Sequence, residues 1–481
     1  MMKVFGLQTG RNDLLLILCI AVIFMVLLLL YMGMQKHRYR LECHRLREAA
    51  IHDNLTKGMN RIGFQKQLEK LLSRQPDITA ALILLDVENF KLINDQYGMK
   101  AGDDLLKLIY EAIQQNLHPG EYAARGEADC FFLFLRTCDR ELIRQRICSI
   151  QDFINRKSDK LSVPMDIQLK QGACVLDGTQ TAFTVLQDRA RFALHRYVYG
   201  KGCVYYSEEL LRPMQREKQL NSIFLTSLQQ HDFQLYLQPK ISLKEGVCHS
   251  AEALVRWQHP QLGSIYPSEF IPIFEKSEHI LALDCYMFEE VCRYLHSRSN
   301  AGLPPLSVSI NLSRRHFHDL SFLQDYAAIK QRYGIADAQI ELELTESMLF
   351  NQEQIAVVQQ AVVQMHELGF CCSLDDFGAG FSSLGLLKSF AVDAIKLDRI
   401  FFEDIHNSKA KDILHCLIDL AQRLHIRMIA EGIETKEQLE FLNSTTCDMA
   451  QGYYFSKPLP PAQFEAWLIQ FNQRAKVNAG K

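Results

Sequence analysis

The apolar positions of this chain fall into three regimes. Residues 14–34, LLLILCIAVIFMVLLLLYMGM, carry no charge, and an unbroken apolar run of that length suits a helix that crosses a bilayer. Residues 53–207 read as an α/β domain. Its apolar run at 80–85 ends in Asp86, a helical pattern follows at 102–115, and two strand-like stretches at 122–125 and 131–135 flank a tight polar turn. Strands that alternate with helices predict a sheet packed by helices on at least one face.

From 208 to 470 the pattern becomes regular, with a short strand, a polar strand end and a helix, repeated. The segments 233–238, 250–257, 307–313, 339–346, 371–376, 394–398, 426–431 and 448–452 predict the strands of a (β/α)8 barrel. An open doubly wound sheet is the alternative arrangement of the same elements.

Charge orients the first segment. Lys3 and Arg11 precede the apolar run, whereas Lys36, Arg38, Arg40, Arg45 and Arg47 follow it, which places the bulk of the chain on the cytoplasmic side of a single-pass helix. A cleaved signal peptide is the competing reading, but the run is too long and lacks a small-residue cleavage site. Residues 1–13 are too few for an external sensor domain. Residues 35–52 are charged and helix-favouring, and read equally as a connecting helix that pairs with its copy in a homodimer or as a solvated spacer. Residues 471–481 form a tail.

Composition narrows the chemistry further. A net charge of -3 leaves no basic face for a nucleic acid polymer. The 14 cysteines lack the CxxC spacing of a zinc site, and most read as reduced, buried apolar residues.

In a barrel of this kind the active site is built at the C-terminal strand ends. Here those ends carry Glu252 and Arg256, Asn311, Glu343 and Glu346, Asp375 and Asp376, Lys396, Glu431 and Gln451. Each alone has a structural explanation, such as a helix cap for Asn311 or a surface charge for Glu343. Together, Glu252, Glu343, Asp375, Asp376 and Glu431 would converge on one mouth, where repulsion is costly unless cations neutralise it. Oxygen ligands with one amide and no histidine or thiolate suit two Mg²⁺ or Mn²⁺ ions. Adjacent Asp375 and Asp376 are placed to bridge two metals for phosphodiester hydrolysis, and a lysine among carboxylates to orient or deprotonate the attacking water. The glycine- and serine-rich stretch that begins at Gly378 reads as a mobile loop.

These residues resemble the EAL family of bacterial cyclic di-GMP phosphodiesterases. Glu252-Ala253-Leu254 is the name-giving tripeptide, and the rest follow in order: QP at Gln238, NLS at Asn311, ELTE from Glu343 to Glu346, DDFGAGFSSL from Asp375, IKLD at Lys396, AEGIET at Glu431 and QGYYFSKP at Gln451. The resemblance implies that Glu252, Asn311, Glu343 and Asp375 bind one metal and that Asp375 and Asp376 share the second. Lys396 and Glu431 would act on the nucleophilic water, with Gln451 assisting nearby. Gln238, Leu254 and Arg256 would contact cyclic di-GMP, Glu346 would hold the Asp375 loop, and the product would be linear pGpG. The expected location is the bacterial cytoplasmic membrane, with the catalytic domains in the cytoplasm. A barrel that binds cyclic di-GMP without cleaving it is the main alternative, and an interaction scaffold a third; the complete set of ligands and water-activating groups favours the enzyme.

Residues 53–207 resemble the GGDEF family of diguanylate cyclases less faithfully. DNLT at Asp53, DVENFK from Asp86 and the GD pair Gly102-Asp103 match, but the signature turn reads Glu127-Ala128-Asp129-Cys130-Phe131. Loss of two glycines restricts the backbone at the nucleotide phosphates, and Glu127 adds a charge that repels them. Cys130 stands where the family has an acidic metal-site residue, so no cyclase activity is expected. Asp86, Asn94, Asp103 and Asp129 remain as a possible GTP site that tunes the barrel; the alternative is a dimerisation or folding module with an empty pocket.

Overall fold

The computed structural model describes residues 11–158, 167–177, 182–198, 200, 202–345, 352–378 and 390–479. It divides into two compact units, Met1–Pro213 and Met214–Lys481, with the boundary inside the helix Glu208–Gln229.

The first unit begins with a single helix, Arg11–Ile51, continuous through the two segments that the sequence reading treats separately. No Pro or Gly-rich break lies between them, so charge changes along the helix without ending it. Its stretch Leu18–Ile51 holds a window of mean hydropathy 2.4, none of it buried, and is long and apolar enough to cross a membrane.

The α/β domain that follows has a six-stranded sheet: β1 (Met59–Asn60), β2 (Thr79–Val87), β3 (Tyr122–Arg125), β4 (Cys130–Leu135), β5 (Leu169–Asp177) and β6 (Val204–Tyr205), in the order β1-β3-β4-β2-β5-β6. Central β2 runs antiparallel to both β4 and β5. Its side chains alternate between two cores. Ala81, Ile83 and Leu85 pack with Leu105, Ile109, Ile147 and Ile150 on one face, and Ala80, Leu82 and Leu84 with Phe64, Phe132, Phe134 and Phe183 on the other. Helices therefore cover both faces, and burial on both sides explains why β2 reads as an uninterrupted apolar run.

The second unit is an eight-stranded barrel. In chain order its strands are β7 (Phe233–Ser242), β8 (Cys248–His259), β10 (Ser307–Asn311), β11 (Ile340–Thr345), β12 (Cys371–Phe377), β13 (Ala394–Leu397), β14 (Arg427–Ala430) and β15 (Met449–Ala450); β9 (Gly263–Ile265) is a short addition to β8. Pairing of β8 with β10 closes the ring. It departs from the predicted (β/α)8 pattern at one strand, because β7 is antiparallel to both β8 and β15. The cause is local: the few residues between β7 and β8, with Gly246 at φ +67°, can turn a hairpin but cannot carry a crossover helix. On β11 the alternation is clear, with Ile340, Leu342 and Leu344 in the apolar core around the barrel and Glu341 and Glu343 on the opposite parity, inside it.

Candidate active site

The barrel strands bring their polar ends to one mouth. Neighbouring strands set Asn311 beside Glu343, Thr345 beside Asp375 and Gln238 beside Glu252. At the centre is Lys396, only 1% exposed. Its Nζ lies 2.7 Å from Glu343 Oε2, 2.8 Å from Glu431 Oε1, 3.0 Å from Asp375 Oδ1 and 3.7 Å from Glu252 Oε1. Burial alone would favour neutral lysine, but these carboxylates outweigh it and hold the ammonium charged well above the usual lysine range.

The carboxyls respond to burial and to one another. Glu431 is pushed up to about 8, first by burial, which outweighs Lys396 together with the repulsion of Asp375, Glu252 and Glu343. Glu252 and Asp375 are also raised, by burial first and by neighbouring carboxylates, against the pull of Lys396. Glu343 is the exception: burial opposes its charge, yet Lys240 and Lys396 together hold it down to about 2.

Hydrogen bonds fix the rest. Asn311 Nδ2 donates to Glu252 Oε1 at 2.8 Å, and Gln451 Nε2 donates to Glu252 Oε2 at 2.6 Å and to Gln238 Oε1 at 3.1 Å. Both oxygens of Glu252 are thereby oriented. β12 bulges between Leu374 and Phe377, which turns Asp375 and Asp376 out of simple alternation. Asp375, Asp376 and Glu431 each offer an oxygen within 4.8 Å of the others. An all-oxygen set with carboxylates in excess of ammoniums fits hard divalent cations.

Two cavities open at this mouth. One, of about 280 Å³, is lined by Gln238, Glu252, Glu431, Gln451, Asp398 and Tyr453 among others. The second, of about 300 Å³, is mostly apolar and is walled by Ile271, Leu283, Met287 and Ile310, with Arg256 and Asn311 supplying polar groups. Leu254 lines both.

Residues 221–458 match the family described as EAL domain, and residues 50–197 the family described as diguanylate cyclase, GGDEF domain. The cyclic di-GMP phosphodiesterase PA2567 of Pseudomonas aeruginosa is 31% identical over 437 residues, which cover 88% of this chain and 73% of that protein. The chain belongs to the GGDEF–EAL family. The cyclic di-GMP phosphodiesterase NbdA of Pseudomonas aeruginosa is 34% identical over 438 residues, and PdeR of Escherichia coli, also named a cyclic di-GMP phosphodiesterase, is 30% identical over 442. Those matches cover 88% and 90% of this chain but 54% and 65% of the relatives, so the chain spans only part of their length. The EAL enzyme Bd1971, solved with cAMP and cyclic di-GMP, shares the fold at a TM-score of 0.50 and 23% identity, over 81% of this chain and 95% of that one.

Within this EAL barrel the structure gathers Gln238, Glu252, Asn311, Glu343, Asp375, Asp376, Lys396, Glu431 and Gln451 at one mouth. Arg256 stands apart from the acidic cluster, in the apolar cavity, with its guanidinium 5.6 Å from the Tyr236 ring centre. Glu346 and the stretch 379–389 lie outside the described residues. Lys240, Glu341, Asp398 and Tyr453 escape the sequence reading; Asp398 and Tyr453 sit inside its quoted motifs, whereas nothing in the local pattern marks Lys240.

In the GGDEF domain the altered turn keeps a tight shape. Ala128 has φ +56°, Arg125 Nη2 donates to its carbonyl at 2.8 Å, and Gly126 N–H donates to Cys130 O at 2.7 Å. The turn thus forms with alanine in the left-handed region, at a cost of about 1–2 kcal/mol. Burial, and then the neighbouring Asp129 carboxyl, pushes Asp86 up to about 7, and burial pushes the Cys130 thiol up to about 12. Asn94 Oδ1 is buried with no donor among the described residues, close against Gly102, where a Cβ would come within 2.0 Å of it. Asp103 is exposed.

Proposed function

We propose that the barrel hydrolyses cyclic di-GMP to linear pGpG, using two Mg²⁺ or Mn²⁺ ions. The observation that carries this reading is the convergence of Glu252, Glu343, Asp375 and Glu431 on the Lys396 ammonium, with Asp376 beside them. Relatives that bear the name cyclic di-GMP phosphodiesterase support the substrate.

Glu252, Asn311, Glu343, Asp375 and Asp376 would hold the ions, which when bound would supply Lewis acidity and an activated water. Lys396 is kept charged, so it would orient the water and meet developing negative charge on the phosphoryl oxygens, and Glu431 would act on the same water. Gln451 and Asn311 fix the Glu252 carboxylate. Gln238, Leu254 and Arg256 seat the dinucleotide across the two cavities, where the apolar one offers a dry wall for a base.

The GGDEF domain serves this barrel as a regulatory or dimerisation module without cyclase activity, because Glu127 repels a triphosphate and Cys130 supplies no ligand charge. Calorimetric titration of the protein with GTP and Mg²⁺ separates a nucleotide-gated module, which gives heat, from one with an empty pocket, which gives none. The exposed apolar surface of Leu18–Ile51 supports a single-pass anchor in the bacterial cytoplasmic membrane, with both domains cytoplasmic and two copies pairing. Removal of residues 1–34 should move the protein from the membrane pellet to the supernatant.

Incubation with cyclic di-GMP and Mn²⁺ tests the main reading. Appearance of pGpG supports it; binding without pGpG replaces the enzyme by a receptor.

A further inference from the structure

The interior of a barrel of this type is normally filled by layers of branched apolar side chains. Here a charged column descends from the active-site mouth instead. Below Lys396 comes Glu343, then Lys240, then Glu341, and finally Arg427, whose Nη2 lies 3.2 Å from Glu341 Oε2. Lys240 and Glu343 are 2% and 0% exposed.

Lys240 is fully committed. Its ammonium donates to Ser309 Oγ at 2.6 Å, Glu343 Oε1 at 2.9 Å and Glu341 Oε1 at 3.3 Å, three acceptors for three N–H donors. The two oxygens of Glu343 are thus divided between two lysines from different strands, Oε1 to Lys240 on β7 and Oε2 to Lys396 on β13. Oε2 is the oxygen on the side of Lys396 and the acidic cluster.

We propose that Lys240 is a positioning residue for the phosphodiesterase chemistry, which locks Glu343 Oε1 so that Glu343 presents Oε2 alone to the metal site. This rests on the reading that Glu343 is a metal ligand. Without Lys240 the carboxylate is free to rotate and to chelate through both oxygens, and the site loses a positive charge that opposes cation binding. Both changes tighten the hold on a divalent cation. The same freedom displaces the ion and its water from the attacking geometry, where small misplacements cost large factors in rate.

The test measures two quantities on the full chain in detergent. Mn²⁺ affinity is read by electron paramagnetic resonance without nucleotide, counting only the component that Asp375→Ala removes; kcat and KM for cyclic di-GMP are read at saturating Mn²⁺. Lys240→Met should bind Mn²⁺ at least threefold more tightly yet turn over at least tenfold more slowly, with KM within threefold of wild type. A side chain that merely fills the barrel would weaken Mn²⁺ binding and turnover together, and that result, or Mn²⁺ affinity equal to wild type, overturns the proposal. If Lys240→Met does not fold, Ser309→Ala loosens the same ammonium without removing its charge. It should cut kcat at least threefold with Mn²⁺ affinity unchanged, and an unaltered kcat overturns the proposal. A wild type that hydrolyses no cyclic di-GMP sinks the functional reading alone, provided the Mn²⁺ affinities still differ as stated; absence of any Asp375-dependent Mn²⁺ signal overturns both.

Discussion

Asp376 donates its backbone N–H to Oδ1 of Asp375 at 2.9 Å while holding a left-handed φ of +55°. A non-glycine residue in that region carries strain of about 1–2 kcal/mol, and strain that persists at a bulge beside buried carboxylates has a functional reading. Asp376→Gly should therefore stabilise the metal-free barrel by ~1 kcal/mol in urea unfolding and lower cyclic di-GMP turnover at least 100-fold. A variant that is both unstabilised and active would show that the carboxylate does no chemistry.

Lys396 is the hub of the cluster, within 3.0 Å of three carboxylates. Removing one partner of a buried ion cluster typically costs about 3–5 kcal/mol. Lys396→Met should lose that much stability without metal and abolish hydrolysis. Because added Mn²⁺ relieves the remaining repulsion, it should raise the melting temperature of the variant more than that of the wild type, and equal shifts would argue against shared charge compensation.

Metal removal gives a third test. An ion that binds only the folded barrel adds about 2.7 kcal/mol at 100 times its Kd. Treatment with a chelator should abolish hydrolysis and lower the barrel's melting temperature, and Mg²⁺ or Mn²⁺ should restore both. Activity that survives exhaustive chelation would rule out the two-metal mechanism.

Ala128 offers a test in the GGDEF domain. Glycine tolerates its φ of +56° without the steric cost of a Cβ. Ala128→Gly should stabilise that domain by ~1 kcal/mol and still yield no cyclic di-GMP from GTP, since Glu127 and Cys130 remain. Cyclase activity in the variant would trace the lost chemistry to one methyl group.

Much of the site was legible from spacing because parallel strands obey one rule: polar residues at their C-terminal ends share a mouth. Asn311, Glu343, Asp375, Lys396 and Glu431 follow it. Helix coverage of both faces of β2 was less legible, since a run buried on both sides has no alternation to show which face meets which helix. Arg256 illustrates another limit. Its place in the motif tied it to substrate, yet only the tertiary structure set it over the Tyr236 ring, in the apolar cavity rather than among the carboxylates.

The order of residues by itself determined the two domains, the barrel class and the identity of the acidic row, because hydrophobic period and polar strand ends are local properties of the chain. Tertiary structure decided the direction of β7. In a strand parallel to its neighbours, a residue two places beyond Gln238 would move outward past the mouth; in the antiparallel strand it moves down into the barrel. That reversal puts Lys240 beneath Glu343 and makes a charged column out of residues that are 103 positions apart in sequence. No local pattern contains such a contact, because barrel closure and strand direction alone bring those two side chains together.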